Sequence, residues 1–181
     1  MVCKRSTQLL GDVDAAERWD EPDEPRHPLA GIIHALERAG GPVLVCAADM
    51  PFVTTSACRE LMAAAAAGGA ANRGGPSRET CPRGSRPAGD PAPTPRADSA
   101  LARDAPSATV ATAGESVEPL LALYAPEALA ALRAAPPDAP LRATIELLDP
   151  LRVDLPASVL RSVNTPEELA AAARELSGVP T

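Results

Sequence analysis

Aromatic residues are nearly missing from this sequence: Trp19, Phe52 and Tyr124 are the whole set among 181 residues. With so few rings, any core must be assembled from Leu, Val, Ile and Ala. Basic runs are missing too. Seventeen Lys and Arg stand against 24 Asp and Glu, for a net charge of −7. That balance excludes a nucleic-acid partner held by counterion release and gives an anionic membrane no patch to attract. No stretch approaches the roughly 18 apolar residues needed to cross a bilayer, and the opening "MVCKRSTQLLGDVD" lacks the apolar segment of a signal peptide, so a cytoplasmic protein is expected. The four cysteines form no C-x-x-C pair, and His27 and His34 do not complete a zinc pattern, which argues against a disulfide framework and a structural zinc. No Ser-His-Asp or Cys-His set can be nominated.

What is present suffices for one globular domain: 45% of the residues are apolar, at a length that supports a real core. "MVCK" reads as the tail of a strand, and residues 11–26 as an acidic, proline-punctuated loop carrying Asp20, Glu21, Asp23 and Glu24. In "PLAGIIHALERAGG" the residues Leu29, Ile32, Ile33 and Leu36 share one helical face, Pro28 suits the first turn and Gly40-Gly41 the end. "PVLVCAA", residues 42–48, is a continuous apolar run of the kind expected from a strand covered on both faces in a parallel sheet. A helix follows in "TSACRELMAAAAA", with Thr55 or Ser56 placed to cap it.

Between Gly68 and Ser107 the pattern collapses. Seven prolines and six glycines accompany Leu101 as the sole large aliphatic residue, so this segment buries too little to offset its ordering entropy and is expected to be a disordered insertion. The domain is thus divided into residues 1–67 and 108–181 around an insertion at 68–107. "ATVAT" and "VEPLLALY" predict two strands about a turn at Gly114-Glu115-Ser116, "PEALAALRAA" and "LRATIELL" predict helices, and "LRVDL" and "LRSVNT" predict short strands. "TPEELAAAARELSG" carries a full helix start: Thr165 as cap, Pro166 first, and Glu168 as the capping-box partner.

Helices alternating with a buried strand imply an α/β layered fold, in which ligands bind beyond the carboxyl ends of the strands. Asp49 occupies that place after "PVLVCAA". A carboxylate there can hold Mg²⁺, a hard cation that shares its shell with substrate phosphates; equally, it can hydrogen-bond its own loop and cap the next helix. In "PLAG", Gly31 in a first helical turn lets backbone approach an anion, or lets the helix pack tightly on a strand. Asp20 on its own reads as part of a solvated charged face.

Taken together, "HPLAGIIHALERA", "VLVCAADMPFV", "EPLLALY" and "SVNTPEELA", in this order and spacing, resemble the nucleotidyltransferase family that includes molybdenum-cofactor guanylyltransferase. The resemblance implies a three-layer α/β/α Rossmann-like fold with a nucleoside triphosphate and Mg²⁺ at the strand ends. It makes Asp49 the metal-binding and catalytic aspartate of a D-x-P motif, Asp20 a nucleotide contact before Pro28, Leu29 and Gly31 of the P-L-A-G turn, and Asn164 a residue of the pterin side. It implies GTP and molybdopterin as substrates, and a transient contact with molybdoenzymes or their chaperones. The family's Gly-rich L-A-G-G opening segment has no counterpart in these residues, so an amino-terminally shortened version of the fold is expected. Cytidylyl transfer, another nucleotidyl transfer, or an inactive remnant acting as a binding module are the alternatives.

Overall fold

The computed structural model describes residues 2–4, 6, 17–71 and 106–178. Six strands and five helices run in the order β1 (Val2–Lys4), β2 (Trp19–Glu21), α1 (Pro28–Ala39), β3 (Val43–Cys46), α2 (Thr55–Ala71), β4 (Ala108–Ala113), β5 (Ser116–Tyr124), α3 (Ala128–Ala134), α4 (Leu141–Glu146), β6 (Leu151–Asp154) and α5 (Pro166–Leu176).

Four strands form the main sheet in the order β3-β5-β4-β6, with β3 and β4 antiparallel to β5 and β6 parallel to β4. α1, α3 and α4 cover one face, where Leu36, Val110, Tyr124, Leu132 and Ile145 meet in one apolar cluster. α2 covers the other face over Met50, Leu61, Ala111, Leu121 and Leu155. The expected α/β/α layering is therefore present. Both clusters are aliphatic except for Tyr124, which is fully buried and donates its hydroxyl to the Pro119 carbonyl at 2.7 Å. Each fully buried Leu or Ile contributes about 1.5–3 kcal/mol, so the aliphatic core supplies the main driving force.

The helix signals act as read. Pro28 opens α1, and Gly40 closes it at φ 62°, a left-handed conformation that costs a glycine nothing. α5 has its full capping box. Other expectations need correction. β3 was expected inside a parallel sheet, but it is an antiparallel edge strand and Val43, Leu44 and Val45 are only half-buried. An apolar run specifies a strand and not the direction of its neighbour, which here is set by the β4–β5 hairpin. The acidic loop 11–26 contains a strand after all, because β2 pairs in parallel with β1 as a separate two-stranded sheet, Cys3 opposite Asp20. α2 is capped by Thr54, whose Oγ1 accepts from the Ala57 N–H at 3.2 Å, one residue before the expected cap. It also continues to Ala71. A side chain at Gly68 would press to 3.3 Å from Leu151, so the glycine lets this helix lie close on β6. Of the expected insertion at 68–107, residues 72–105 lie outside the described residues. Finally, "LRSVNT" forms no strand: 157–160 turn and 161–164 are irregular.

Candidate active site

The carboxyl end of β3 is fixed by an interruption in β5. Register with β4 shifts between Val110, opposite Ala122, and Ala111, opposite Glu118, which leaves 119–121 as an irregularity that begins at a proline with no N–H for the ladder. Leu120 turns its carbonyl to the Ala47 N–H at 2.9 Å, prolonging the β3–β5 ladder by one bond beyond Cys46. The chain then turns tightly, with Met50 N–H donating to the Ala47 carbonyl and Val53 N–H to the Met50 carbonyl, both at 3.3 Å. Met50 is buried under α2, and the turn it anchors leaves Asp49 exposed.

Across from Asp49 lies the segment before α5. The Val163 N–H donates to the Asp49 carbonyl at 2.8 Å, which ties the two together. Between them is a groove of about 340 Å³, walled by Ala48 and Asp49 on one side and by residues 163–166 and Leu169 on the other. Two residues read from sequence, Asp49 and Asn164, thus share one groove although 115 positions separate them, 164 − 49. The Asn164 amide nitrogen reaches Ser162 Oγ at 3.2 Å.

The electrostatics of this groove point to cations. The N-terminus of α5 would favour an anion, but Glu168 already supplies one: its Oε2 accepts from the backbone N–H of Asn164 at 2.7 Å and of Thr165 at 3.1 Å. None of the groove residues is Lys or Arg. Asp49 is therefore an exposed carboxylate with no basic wall beside it. It suits a hard divalent ion that takes its remaining oxygens from water and phosphate. Among the described residues no group of three or more His, Cys, Asp and Glu could hold a metal ion. Cys46, at the end of β3, has its thiol pushed up by burial, with Cys58 and Asp49 adding to the shift.

The other sequence candidates gather elsewhere. Asp20 lies on β2 and is paired with Arg18, whose guanidinium is held further in its charged form first by that hydrogen bond. Its neighbour Glu21 is buried, paired with Lys4 Nζ at 3.2 Å and lying beside Gly31: a side chain there would touch the Glu21 carboxylate at 3.7 Å. The glycine of P-L-A-G thus faces a carboxylate of this chain, at a distance that a methyl group would fill as an ordinary contact. His27 caps α1, its Nδ1 accepting from the Leu29 N–H at 3.2 Å and its carbonyl from the Ala30 N–H at 3.0 Å, so two donors of the first turn are already used. Asp20, Pro28, Leu29 and Gly31 do not line the Asp49 groove.

Sequence reasoning missed the buried Glu21, which alternation along a short strand could have signalled had β2 been recognised. It also missed Arg161, whose guanidinium lies 3.8 Å from the centre of the Phe52 ring. No local signal announces a contact between residues so far apart.

A sheet with helices on both faces and a carboxylate at a strand end, opposite a capped helix, defines an α/β domain of the kind that takes ligands beyond its strand ends. The chain belongs to the family of the MobA-like NTP transferase domain, whose model matches residues 1–153. Among solved structures it is similar to molybdopterin-guanine dinucleotide biosynthesis protein A from Archaeoglobus fulgidus, at 22% identity and a TM-score of 0.54. The alignment covers 83% of this chain and 63% of that one, so the chain spans less than two thirds of the length of that relative, and the likeness is one of fold. No curated protein matches. The family match ends before α5, so Asn164 lies beyond it. Among the described residues no helix is long and apolar enough to cross a membrane.

Proposed function

We propose that this chain carries out Mg²⁺-dependent transfer of GMP from GTP to molybdopterin. The acceptor's phosphate oxygen attacks the α-phosphorus of GTP, the new P–O bond forms, and pyrophosphate leaves. The observation that carries this reading is the meeting of Asp49 and Asn164 across one groove in a domain of the MobA-like family. The solved relative is named for molybdopterin-guanine dinucleotide biosynthesis, which supports the choice of nucleotide and acceptor.

In this reading Asp49 holds the magnesium ion, Asn164 faces the acceptor, and Asp20 with the Pro28, Leu29 and Gly31 turn contacts the nucleotide. A bound magnesium ion would offset the charge that grows on the phosphates during transfer. Asp49 suits that task because it is exposed at a strand end, its carbonyl accepts from the Val163 N–H, and the turn that carries it is closed by the Met50 N–H donating to the Ala47 carbonyl. Leu169 and Pro166 give the groove an apolar flank against which a flat acceptor can rest.

The test is thermal. With Mg·GTP at about a hundredfold its Kd, binding should stabilise the fold by about 2.7 kcal/mol and raise Tm on the order of 5–10 °C. Asp49→Ala should abolish that gain, and an undiminished gain in the variant would remove the metal role. Competition with CTP decides between guanylyl and cytidylyl transfer.

One observation favours a second reading, that of a binding module without catalysis: no groove residue is cationic, so the triphosphate lacks a partner there. It predicts no stabilisation by any nucleotide with Mg²⁺.

A further inference from the structure

We propose that Arg161 is a positioning residue that sets the spacing between Asp49 and Asn164, and so the width of the groove between them. This rests on the nucleotidyltransferase reading of that groove.

The turn 49–52 and the segment 161–164 are joined at two points. One is the backbone bond from the Val163 N–H to the Asp49 carbonyl at 2.8 Å. The other is Arg161 lying on Phe52 at 3.8 Å from the ring centre. A single hydrogen bond is a hinge; a second attachment three residues from Asp49 and two from Val163 converts it into a clamp. The guanidinium is held in turn by an ion pair from its Nη2 to Glu175 Oε2 in the last turn of α5. Arg161 therefore links the D-M-P-F turn to the far end of the helix whose first residues form the opposite wall. α5 depends on such links, because Ala172 is its one buried residue.

The chemistry favours arginine at this place. A planar guanidinium can stack on a ring face and pair with a carboxylate edge at once, whereas an ammonium offers only a point charge. Both charged side chains are about half exposed, at 48% for Arg161 and 57% for Glu175. Their loss should then alter local geometry much more than global stability. Phe52 is one of three aromatic residues in the chain, and it stands three residues after Asp49 in the turn that carries it.

The experiment uses the full chain and Arg161→Ala, Arg161→Lys and Phe52→Leu. Arg152→Ala serves as control, since its pair with Glu146 has similar exposure away from the groove. In Arg161→Ala, hydrogen exchange at the Val163 amide should rise about tenfold, and kcat/KM for nucleotidyl transfer from Mg·GTP should fall about fivefold, chiefly through KM, with Tm within about 2 °C of the parent. Arg161→Lys should recover part of both, Phe52→Leu should reproduce them, and the double variant Arg161→Ala/Phe52→Leu should be no worse than either single one. Arg152→Ala should leave both readouts unchanged. Unchanged exchange at Val163 in Arg161→Ala overturns the clamp, and so does faster exchange with unaltered KM and kcat. If the parent chain transfers no nucleotide from GTP or CTP, the nucleotidyltransferase reading fails with it, and exchange at Val163 alone still decides whether Arg161 fixes the groove.

Discussion

The four-stranded sheet and the β1–β2 pair are held by different forces. The sheet lies between two aliphatic clusters, and Val110, Leu121, Leu132, Tyr124 and Ile145 are all sealed from solvent. The β1–β2 pair contributes only Cys3 to the buried apolar set and relies on polar ties: Lys4 pairs with Glu21 and also donates to the carbonyls of Pro22 and Pro25 at 3.1 and 2.8 Å. The difference teaches that Asp49, at the end of a sheet strand, stands on the packed region, while the wall opposite it leads into α5, which buries only Ala172. Asp20 is built on the polar pair, and the P-L-A-G turn joins the two, with Leu29 in the apolar cluster and Gly31 beside Glu21.

The chain provides a reporter for each region, since its one tyrosine lies in the sheet core and its one tryptophan, Trp19, on β2 beneath Arg38. The largest expected effect comes from Leu121→Ala, which opens a cavity where exposure is 0% and should cost about 2–5 kcal/mol. Urea unfolding followed by near-UV signal from Tyr124 should show an earlier midpoint, and a loss under about 1 kcal/mol would mean that α2 does not seal this face.

A smaller and more local effect is expected from Lys4→Met. It leaves the Glu21 carboxylate, buried beside Gly31, without its cation and should cost about 1–2 kcal/mol. Trp19 fluorescence should report an earlier transition while the Tyr124 signal keeps the parental midpoint. Coincident shifts in both would show that the two regions unfold as one.

The smallest effect is a matter of pH. Burial, with Glu118 adding, pushes the Tyr124 phenol well above its ordinary value. The native state keeps that proton where the unfolded chain releases it, so the unfolded state binds fewer protons and stability falls as pH rises above the ordinary phenol range. The loss should be about 1 kcal/mol at pH 10.5. Absorbance near 295 nm should stay free of phenolate until unfolding begins, and an ordinary titration curve in the folded protein would contradict the buried hydroxyl.

Much of this molecule was legible beforehand because its local signals are strong. The P-L-A-G helix, the hairpin about Gly114 and the capping box at Thr165 and Glu168 act within a few residues, where periodicity and side-chain chemistry decide the outcome. Asp49 was legible as a strand-end carboxylate for the same reason. The expectations that the structure overturns concern pairing. β2 is three residues long and too charged to announce itself, β3 gives no sign of its partner's direction, and "LRSVNT" has the composition of a strand but joins no ladder.

The sequence by itself determined the helices with most of their caps, the aliphatic character of the core, and which carboxylate would stand at the end of an apolar strand. Only the tertiary structure decided that Asn164 faces Asp49, that Glu168 takes up the N–H groups an anion would have used, and that Arg161 reaches Phe52. The reason is physical: caps and amphipathic faces are short-range and written in neighbouring residues, whereas a groove is made by chain segments brought together when the core closes behind them.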